Sequence, residues 1–309
     1  MEELKSKFLE YLVKSKRTYV TQICKDLNLE EYQVYGLLDL LKRDGMLFDI
    51  VDNKIVKIKP TKDADLYVVP NSLDHLKLLL ISDTHLCSKY DRIDILKYIY
   101  DRADKEGVNY VLHSGDVTDG KSNRPQHIYD LRETSYTGQR DYAIEKYPKS
   151  GIPTYMISGN HDYMWVKECG ADIVRDICRE REDLIYLGSD CQDLKIGKLR
   201  IRLYHGKGGG SYAKSYKIQK YLDAIPMEER PHILQTGHIH QAFYMKQGKT
   251  HCFQTSCLQD LTPYERSQGF NNDKSCWWVD VYMDSKGNPV KIEQELETFD
   301  TKRLVKTIK

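Results

Sequence analysis

The chain lacks several features that would assign it to a class at once. No apolar run approaches the roughly 18 residues that are needed to span a membrane. The eight cysteines include no Cys-x-x-Cys pair, so a zinc module built on thiolates is not expected. The first residues, Met1-Glu2-Glu3-Leu4-Lys5, lack the basic-then-apolar pattern of a secretion signal. We therefore expect reduced thiols, a cytoplasmic location and no membrane partner.

An excess of charge of one sign is also absent. The 47 Lys and Arg residues nearly balance the 46 Asp and Glu residues, which leaves a formal net charge of +1. Bulk electrostatics therefore identifies no partner, and a nucleic-acid role would need a local basic face. The 309 residues are enough for a sizeable core and for two domains.

Residues 1–60 differ in pattern from the rest of the chain. Apolar residues at helical spacing predict three short helices, and β-like runs at 46–51 and 55–58 predict a hairpin. This order resembles a winged-helix domain. In helix-turn-helix relatives of such domains a recognition helix enters the major groove of DNA. Residues 1–62 carry only 12 basic against 10 acidic side chains, so nucleic-acid binding and protein docking both stay open.

From residue 75 onward, predicted strands alternate with helices, which implies an α/β architecture. The apolar runs that predict the first strands lie at 76–81, 108–113, 152–157, 199–204 and 233–236. Later β-rich segments predict a second sheet that packs against the first; they lie at 250–254, 276–283 and 290–296. The predicted organisation is a winged-helix-like domain at 1–60, a linker at 61–74, an α/β domain at 75–298 and a tail at 299–309.

Metal-seeking side chains follow each of the five apolar runs of the α/β domain. They are Asp83, His85, Asp116, Asn160, His161, Asp162, His205, His238 and His240. In α/β folds, ligands collect beyond the carboxyl ends of strands, so these segments are expected to converge on one cleft. Asp, Asn and His without Cys favour a divalent metal, with Mn first and Fe, Zn or Co as alternatives. Such an inventory can fill a two-metal site, and two-metal sites often carry out phosphoester chemistry.

The spacing of these residues leads to three local expectations. Asp83 and His85 are two positions apart, so both can point to the same side of an extended strand end. The same holds for His238 and His240. Asp116 can bridge two ions through its two oxygens. The glycines that precede three of the predicted ligands are expected to let the backbone turn sharply.

The ordered set Asp-x-His, Gly-Asp, Gly-Asn-His-Asp, His and Gly-His-x-His resembles the calcineurin-like metallophosphoesterase superfamily. The resemblance spans most of residues 76–245 and implies two packed mixed β-sheets flanked by helices. It implies two metals: one on Asp83, His85 and His240, the other on Asn160, His205 and His238, with Asp116 shared. It also implies that the metals generate a bridging hydroxide for in-line attack on phosphorus.

The resemblance gives His161 and Asp162 catalytic rather than ligand roles. His161 is expected to contact the phosphate or to protonate the leaving oxygen, and Asp162 to orient and charge-stabilise that imidazole. The histidines outside the motifs are expected to be structural; they are His113, His127, His232 and His251. For His251, which follows shortly after the last motif, a place in the lining of the pocket is the alternative.

Two further segments allow more than one interpretation. The glycine-rich stretch 206–210 could approach a phosphate, with Lys207 as counter-charge, or form a mobile loop. The insert at 120–151 interleaves basic residues with tyrosines, which suits stacking on bases and pairing with phosphates. Its acidic residues favour the simpler interpretation of a solvated helical face.

These observations predict a two-metal phosphodiesterase or nuclease that acts on nucleic acid. One alternative is a phosphatase of a phosphoprotein or small phosphate ester, with the N-terminal module as a docking unit. A second alternative is a non-catalytic DNA-binding regulator. The complete set of ligand positions argues against that regulator, because a relic domain would be expected to have lost some of them.

Overall fold

The computed structural model describes residues 2–14, 19–43, 48–51, 53–57, 66–122 and 124–300. The chain divides into two units, Met1–Asp65 and Leu66–Lys309. The tail predicted at 299–309 lies outside the described residues from 301 onward. No helix in the described ranges is long and apolar enough to cross a membrane.

The first unit consists of three helices and a hairpin. Its elements are α1 (Glu2–Lys14), α2 (Val20–Leu27), α3 (Glu31–Arg43), β1 (Phe48–Val51) and β2 (Lys54–Lys57). The two strands pair antiparallel, and Phe8, Ile23, Leu41 and Ile55 form the centre of a small apolar core. Residues 46, 47, 52 and 58 of the predicted hairpin lie outside the described residues. The winged-helix identification stays a prediction.

The second unit alternates strands with helices. Its strands are β3 (Leu66–Val69), β4 (His75–Ile81), β5 (Tyr110–His113), β6 (Thr154–Ser158), β7 (Leu184–Ser189), β8 (Cys191–Ile196), β9 (Leu199–Tyr204), β10 (Ile233–Thr236), β11 (Phe243–Gln247), β12 (Thr250–Gln254), β13 (Ser275–Met283) and β14 (Pro289–Thr298). Its helices are α4 (Ile93–Glu106), α5 (Tyr136–Lys146), α6 (Asn160–Cys169), α7 (Ile173–Arg179), α8 (Tyr216–Asp223) and α9 (Pro263–Ser267). Short 3₁₀ helices cover Pro125–Asp130 and Met227–Glu229.

These strands form two mixed sheets, as predicted. The segments at 276–283 and 290–296 were predicted for the second sheet, but as β13 and β14 they pair next to β4 in the first. One has the order β14-β13-β4-β5-β6-β7, in which β4 to β7 run parallel and β13 is antiparallel to both of its neighbours. The other has the order β11-β12-β10-β9-β8-β3, in which β9, β10 and β12 run parallel. Part of the segment predicted as a linker at 61–74 is instead β3, which pairs parallel with β8 at the edge of the second sheet.

The apolar pattern of β4 explains how the layers stack. Leu78 and Leu80 pack between the two sheets, whereas Leu79 and Ile81 pack on helices of the opposite face. Successive side chains on a strand point to opposite faces, so a strand covered on both sides must be apolar throughout. Helix α8 covers the outer face of the second sheet through Leu222. The resulting four layers hold the carboxyl ends of the parallel strands in fixed positions.

Candidate metal centre

The predicted ligands come together beyond the carboxyl ends of the parallel strands. Two groups form, in each of which the ligand atoms lie within 4.8 Å of one another: Asp83, His85 and His240, and Asp116, His205 and His238. Asn160 joins the second group, because its Oδ1 lies 2.9 Å from Nε2 of His205. The structure thus brings together all seven residues that the sequence predicts as ligands.

Asp116 lies between the two groups. Its Oδ2 is 3.1 Å from Nε2 of His205 in the second group and 4.0 Å from Nε2 of His85 in the first. Its Oδ1 accepts a hydrogen bond of 2.8 Å from the backbone N–H of His161. One carboxylate therefore reaches both groups, and its position fits a ligand shared by two cations.

The backbone at five of the seven predicted ligands is left-handed rather than extended. The φ angles are +50° at Asp83, +43° at His85, +52° at Asp116, +73° at His238 and +56° at His240. This conformation costs a non-glycine residue about 1–2 kcal/mol, and such strain concentrates at functional sites. The expectation of extended strand ends is therefore wrong. Asp83 and His85 converge because the chain turns at both residues, held by backbone bonds to Gly115 and Asp116.

The glycines next to the predicted ligands mainly provide space for side chains of the cluster. A Cβ at Gly159 would collide with the carboxylate of Asp116, and a Cβ at Gly237 would collide with that of Asp83. Only Gly115, with φ of +104°, turns the chain as expected. At the other two positions glycine is required because side chains of the cluster approach the backbone closely.

Most of the imidazoles that face the cluster have a polar partner at the ring nitrogen that points away from it. Nδ1 lies 2.9 Å from the carbonyl oxygen of Ser114 in His205 and 3.0 Å from Asp119 in His85. In His240 it lies 3.2 Å from the amide nitrogen of Asn272 and 3.3 Å from Glu265. Such partners fix the tautomer that leaves Nε2 free for a metal. His238 is reversed: its Nε2 lies 3.1 Å from the carbonyl oxygen of Gly208, which leaves Nδ1 for the cluster. This donor set fits two divalent cations.

The structure places Asp162 away from the ring of His161. Its buried carboxylate accepts hydrogen bonds from the backbone N–H groups of Val117 (3.0 Å), Thr118 (2.8 Å) and Gly159 (2.9 Å), and from the Thr118 hydroxyl (2.8 Å). Consecutive side chains on a helix point about 100° apart, so Asp162 faces inward where His161 faces the cleft. The prediction that Asp162 orients His161 is therefore wrong. Asp162 instead joins the loop after β5 to the start of α6.

Asp119 takes the position that was predicted for Asp162. Nδ1 of His161 donates to the backbone carbonyl oxygen of Asp119 at 2.8 Å. The Asp119 carboxylate also bonds His85 at 3.0 Å and His127 at 3.2 Å. Burial acts to raise the pKa of Asp119, but the hydrogen bonds from His127 and His85 outweigh it and hold the pKa below its usual range. An ionised Asp119 thus connects a predicted ligand with two further histidines.

Sequence reasoning missed both Asp119 and His127. Asp119 follows Asp116 by three residues at a strand end, and that spacing was the available signal. His127 carries no local signal, because a 3₁₀ helix in the insert brings it to the cleft. The expectation that histidines outside the motifs have structural roles fits two of them. His113 is fully buried, and Nδ1 of His232 accepts a hydrogen bond from the backbone N–H of Arg200.

His161 presents its imidazole to the cleft with 27% of the side chain exposed. Desolvation acts to lower its pKa, but the carboxylates of Asp116 and Asp119 outweigh this effect and raise the pKa above its ordinary value. With Nδ1 occupied by the Asp119 carbonyl, Nε2 is the atom that can meet a ligand. The ring can therefore present a proton on Nε2 to an anionic group in the cleft.

A cavity of about 720 Å³ opens over the two groups, a volume within the range of small-ligand sites. His85, Asp116 and His161 contribute to its lining, together with residues 208–210 of the glycine-rich stretch. Lys207 is not among the residues that line this cavity, and its ammonium group pairs with Asp190 at 3.2 Å.

The insert at 120–151 is largely built into the fold. The hydroxyls of Tyr136 and Tyr142 donate to carboxylates of other segments, and Tyr147 is almost fully buried. These tyrosines are not free to stack on bases, so the nucleic-acid interpretation of the insert is wrong for them. Arg124 differs, because it lines the cavity.

Comparisons with known proteins concern the same part of the chain. The family profile described as calcineurin-like phosphoesterase superfamily domain matches residues 76–259, which is more than half of the sequence. Among solved structures, an archaeal phosphodiesterase aligns over 72% of this chain and 100% of that chain at 14% identity, with a TM-score of 0.43. A 5′-nucleotidase precursor from Thermus thermophilus aligns over 72% and 54%, at 13% identity and a TM-score of 0.39.

Two curated relatives are both described as DNA polymerase II small subunit. The protein from Methanothermobacter thermautotrophicus is 22% identical over 289 residues, which cover 75% of this chain and 59% of the relative. The protein from Thermoplasma acidophilum is 24% identical over 230 residues, which cover 62% and 47%. The chain therefore spans about half the length of the curated relatives that it matches.

Proposed function

We propose that this chain, which belongs to the calcineurin-like phosphoesterase superfamily, is a two-metal phosphodiesterase that cleaves nucleic acid. The observation that carries the proposal is the convergence of the seven predicted ligands beneath one cavity, which four of them line together with His161. A site for hydrolysis of a phosphodiester needs cations for the phosphate charge, a proton donor for the leaving oxygen and room for a nucleotide. The cleft has a candidate for each.

The seven ligands would hold two cations. Asp83, His85 and His240 would bind one, and Asn160, His205 and His238 the other, with Asp116 between them. Cations bound there would polarise a phosphate oxygen and supply a nucleophile from water near neutral pH. Mn²⁺ is the first metal to test, because oxygen and imidazole ligands suit it, and Fe, Zn and Co are the alternatives.

His161 would act as the proton donor. Its Nδ1 is fixed by the Asp119 carbonyl, so the ring presents Nε2 to a phosphate held in the cavity. The carboxylates of Asp116 and Asp119 favour the protonated ring. The proton would pass from Nε2 to the leaving oxygen as its bond to phosphorus breaks, and Asp119 would keep the ring in position throughout.

The curated relatives support nucleic acid as the substrate. Both are described as small subunits of a DNA polymerase, a class of protein that works on DNA. The complete ligand set supports an enzyme over a non-catalytic regulator. Phosphatase activity remains the alternative that the experiment must separate from nuclease activity.

A substrate panel tests the proposal. Purified protein with Mn²⁺ is offered bis-p-nitrophenyl phosphate, p-nitrophenyl phosphate, and labelled single- and double-stranded DNA and RNA. We expect hydrolysis of the diester and cleavage of nucleic acid. Hydrolysis of the monoester alone would favour the phosphatase, and no hydrolysis with any divalent metal would refute the proposal.

His161→Ala is the matching variant. It should abolish turnover and leave the metal content of the purified protein largely unchanged, because His161 is not one of the seven ligands. His75→Ala is the control, since it removes a histidine at the far end of β4. Turnover that persists in His161→Ala would show that another group donates the proton.

A further inference from the structure

We infer that Arg124, Tyr264 and Phe270 form a stacking site for an unpaired nucleobase in the wall of the cleft. The inference rests on the proposed function, because it names the part of a nucleic-acid substrate that lies beside the reacting phosphate. Nucleobases are planar and are each attached through a sugar to phosphate. A site for them therefore needs an aromatic surface close to the phosphate site.

The three side chains form one continuous wall. The guanidinium carbon of Arg124 lies 3.6 Å from the ring centroid of Tyr264, so the cation stacks on the ring face. The rings of Tyr264 and Phe270 meet edge to face, with centroids 6.4 Å apart and an interplanar angle of 88°. All three residues line the cavity that His85, Asp116 and His161 also line.

The aromatic rings of this wall are exposed to the cavity rather than packed away. Tyr264 is 39% exposed and Phe270 is 54% exposed. Because the two rings are perpendicular, a planar ligand can stack on the face of one ring and meet the edge of the other, which removes apolar surface from water. The neighbouring guanidinium can stack on a base or pair with a phosphate. A phosphoserine peptide offers no planar group at its phosphate, so the wall favours a nucleic-acid substrate over a phosphoprotein.

The wall is fixed relative to the predicted metal ligands. Glu265, next to Tyr264, forms a capping box with Thr262 at the start of α9, through bonds of 2.8 and 3.2 Å. The other oxygen of Glu265 lies 3.3 Å from Nδ1 of His240 and accepts a hydrogen bond of 2.7 Å from Asn272. Because one short segment carries Tyr264 and Phe270 and also contacts the predicted ligand His240, a stacked base occupies a set position relative to the reacting phosphate.

This arrangement selects single-stranded substrates. A base inside a duplex already stacks on both faces and cannot leave without breaking its pair, whereas an unpaired terminal base is free to move onto the wall. Stacking of a base on an aromatic side chain is sequence-tolerant, because each base has a π face. We therefore expect a preference for single-stranded ends without a strong preference for one base.

Two esters with the same leaving group test the site. Thymidine 5′-(p-nitrophenyl phosphate) and methyl p-nitrophenyl phosphate differ only in the nucleoside. In the presence of Mn²⁺, the wild type should favour the thymidine ester in kcat/KM, and Tyr264→Ala and Phe270→Ala should each reduce that preference about fivefold or more. Tyr264→Phe should retain the preference, since it keeps the ring. Tyr129→Ala is the control, because that tyrosine is 75% exposed and does not line the cavity.

A binding measurement separates failure of this inference from failure of the proposed function. Oligonucleotides with 2-aminopurine at either end are titrated with protein in EDTA, so that binding is read without cleavage. Quenching by the wild type that is lost in Tyr264→Ala and Phe270→Ala supports the site, even if neither ester is hydrolysed and the proposed function fails. Hydrolysis of both esters with equal efficiency, or quenching that these variants leave unchanged, would overturn the inference and leave the proposed function standing.

Discussion

Replacement of Asp162 by Ala should destabilise the second unit and not only lower its activity. The carboxylate is fully buried and accepts hydrogen bonds from the backbone N–H groups of Val117, Thr118 and Gly159. Alanine would leave these three donors buried without a partner. Each unsatisfied donor costs about 1–3 kcal/mol, so we expect the free energy of unfolding to fall by at least about 3 kcal/mol.

Urea unfolding followed by tryptophan fluorescence measures this loss. The three tryptophans of the chain, Trp165, Trp277 and Trp278, all belong to the second unit, so the signal reports on the unit that contains Asp162. Asp162→Asn should lose less, because its single oxygen can still accept from Thr118. Asp141→Ala removes an exposed carboxylate on α5 and should change stability by less than about 0.5 kcal/mol.

The same measurement distinguishes the two roles considered for Asp162. A catalytic partner of His161 would give an Asp162→Ala protein that unfolds at the wild-type urea concentration and has lost only turnover. That result would refute the structural role and restore the role that the sequence predicts. Wild-type stability together with wild-type turnover would exclude both.

Three other measurements probe the site and its surroundings. Asp119→Asn should reduce Mn²⁺ affinity or turnover by about 10- to 100-fold, because its carboxylate orients His85 from behind; calorimetric titration and steady-state kinetics would show this, and wild-type values for both would argue against the role. Gly237→Ala should lower the metal content of dialysed protein, since its Cβ would collide with Asp83, and a full metal complement with unchanged circular dichroism would contradict the contact. Burial lowers the pKa of His113 to about 3, so the folded state keeps this ring neutral while the unfolded state binds a proton below pH of about 6.5. The stability that the neutral ring contributes is present above that pH and is lost as the pH falls, by roughly 2 kcal/mol at pH 5. In His113→Gln the urea midpoint should therefore fall less between pH 7.5 and 5 than in the wild type. An equal fall of the midpoint in both proteins would contradict the pKa given for His113.

The sequence was informative wherever a local pattern reflected burial on both sides of a strand. The apolar run of β4 predicts a covered strand, and the polar residues after it mark the strand end where ligands collect. Asp83 and His85 could therefore be placed in a cleft with residues more than a hundred positions away. The presence of two sheets could also be predicted, but the pairing of β13 and β14 with β4 could not, because pairing between strands distant in the sequence leaves no local pattern.

Side-chain direction and long-range partners could not be obtained in this way. Asp162 follows a histidine in a familiar motif, but its orientation depends on the helical turn that begins at Asn160. Asp119 and His127 meet only because the insert folds back over the strand end. Tyr264 and Phe270 reach the cavity through tertiary packing, and no spacing in the sequence connects them with Arg124.

The left-handed backbone at five predicted ligands implies a trade-off between the stability of the fold and metal binding. At Asp83, His85, Asp116, His238 and His240 the polypeptide adopts a conformation that glycine would tolerate without the steric penalty of a side chain. Glycine at His238 or His240, which are only partly buried, would relieve strain while removing a predicted metal ligand. Glycine at Asp83 or Asp116 would in addition leave a backbone N–H without its acceptor. Selection of this chain for thermal tolerance alone, without metal in the medium, should therefore favour glycine at the two histidines. Five of the left-handed positions of this unit are thus predicted metal ligands.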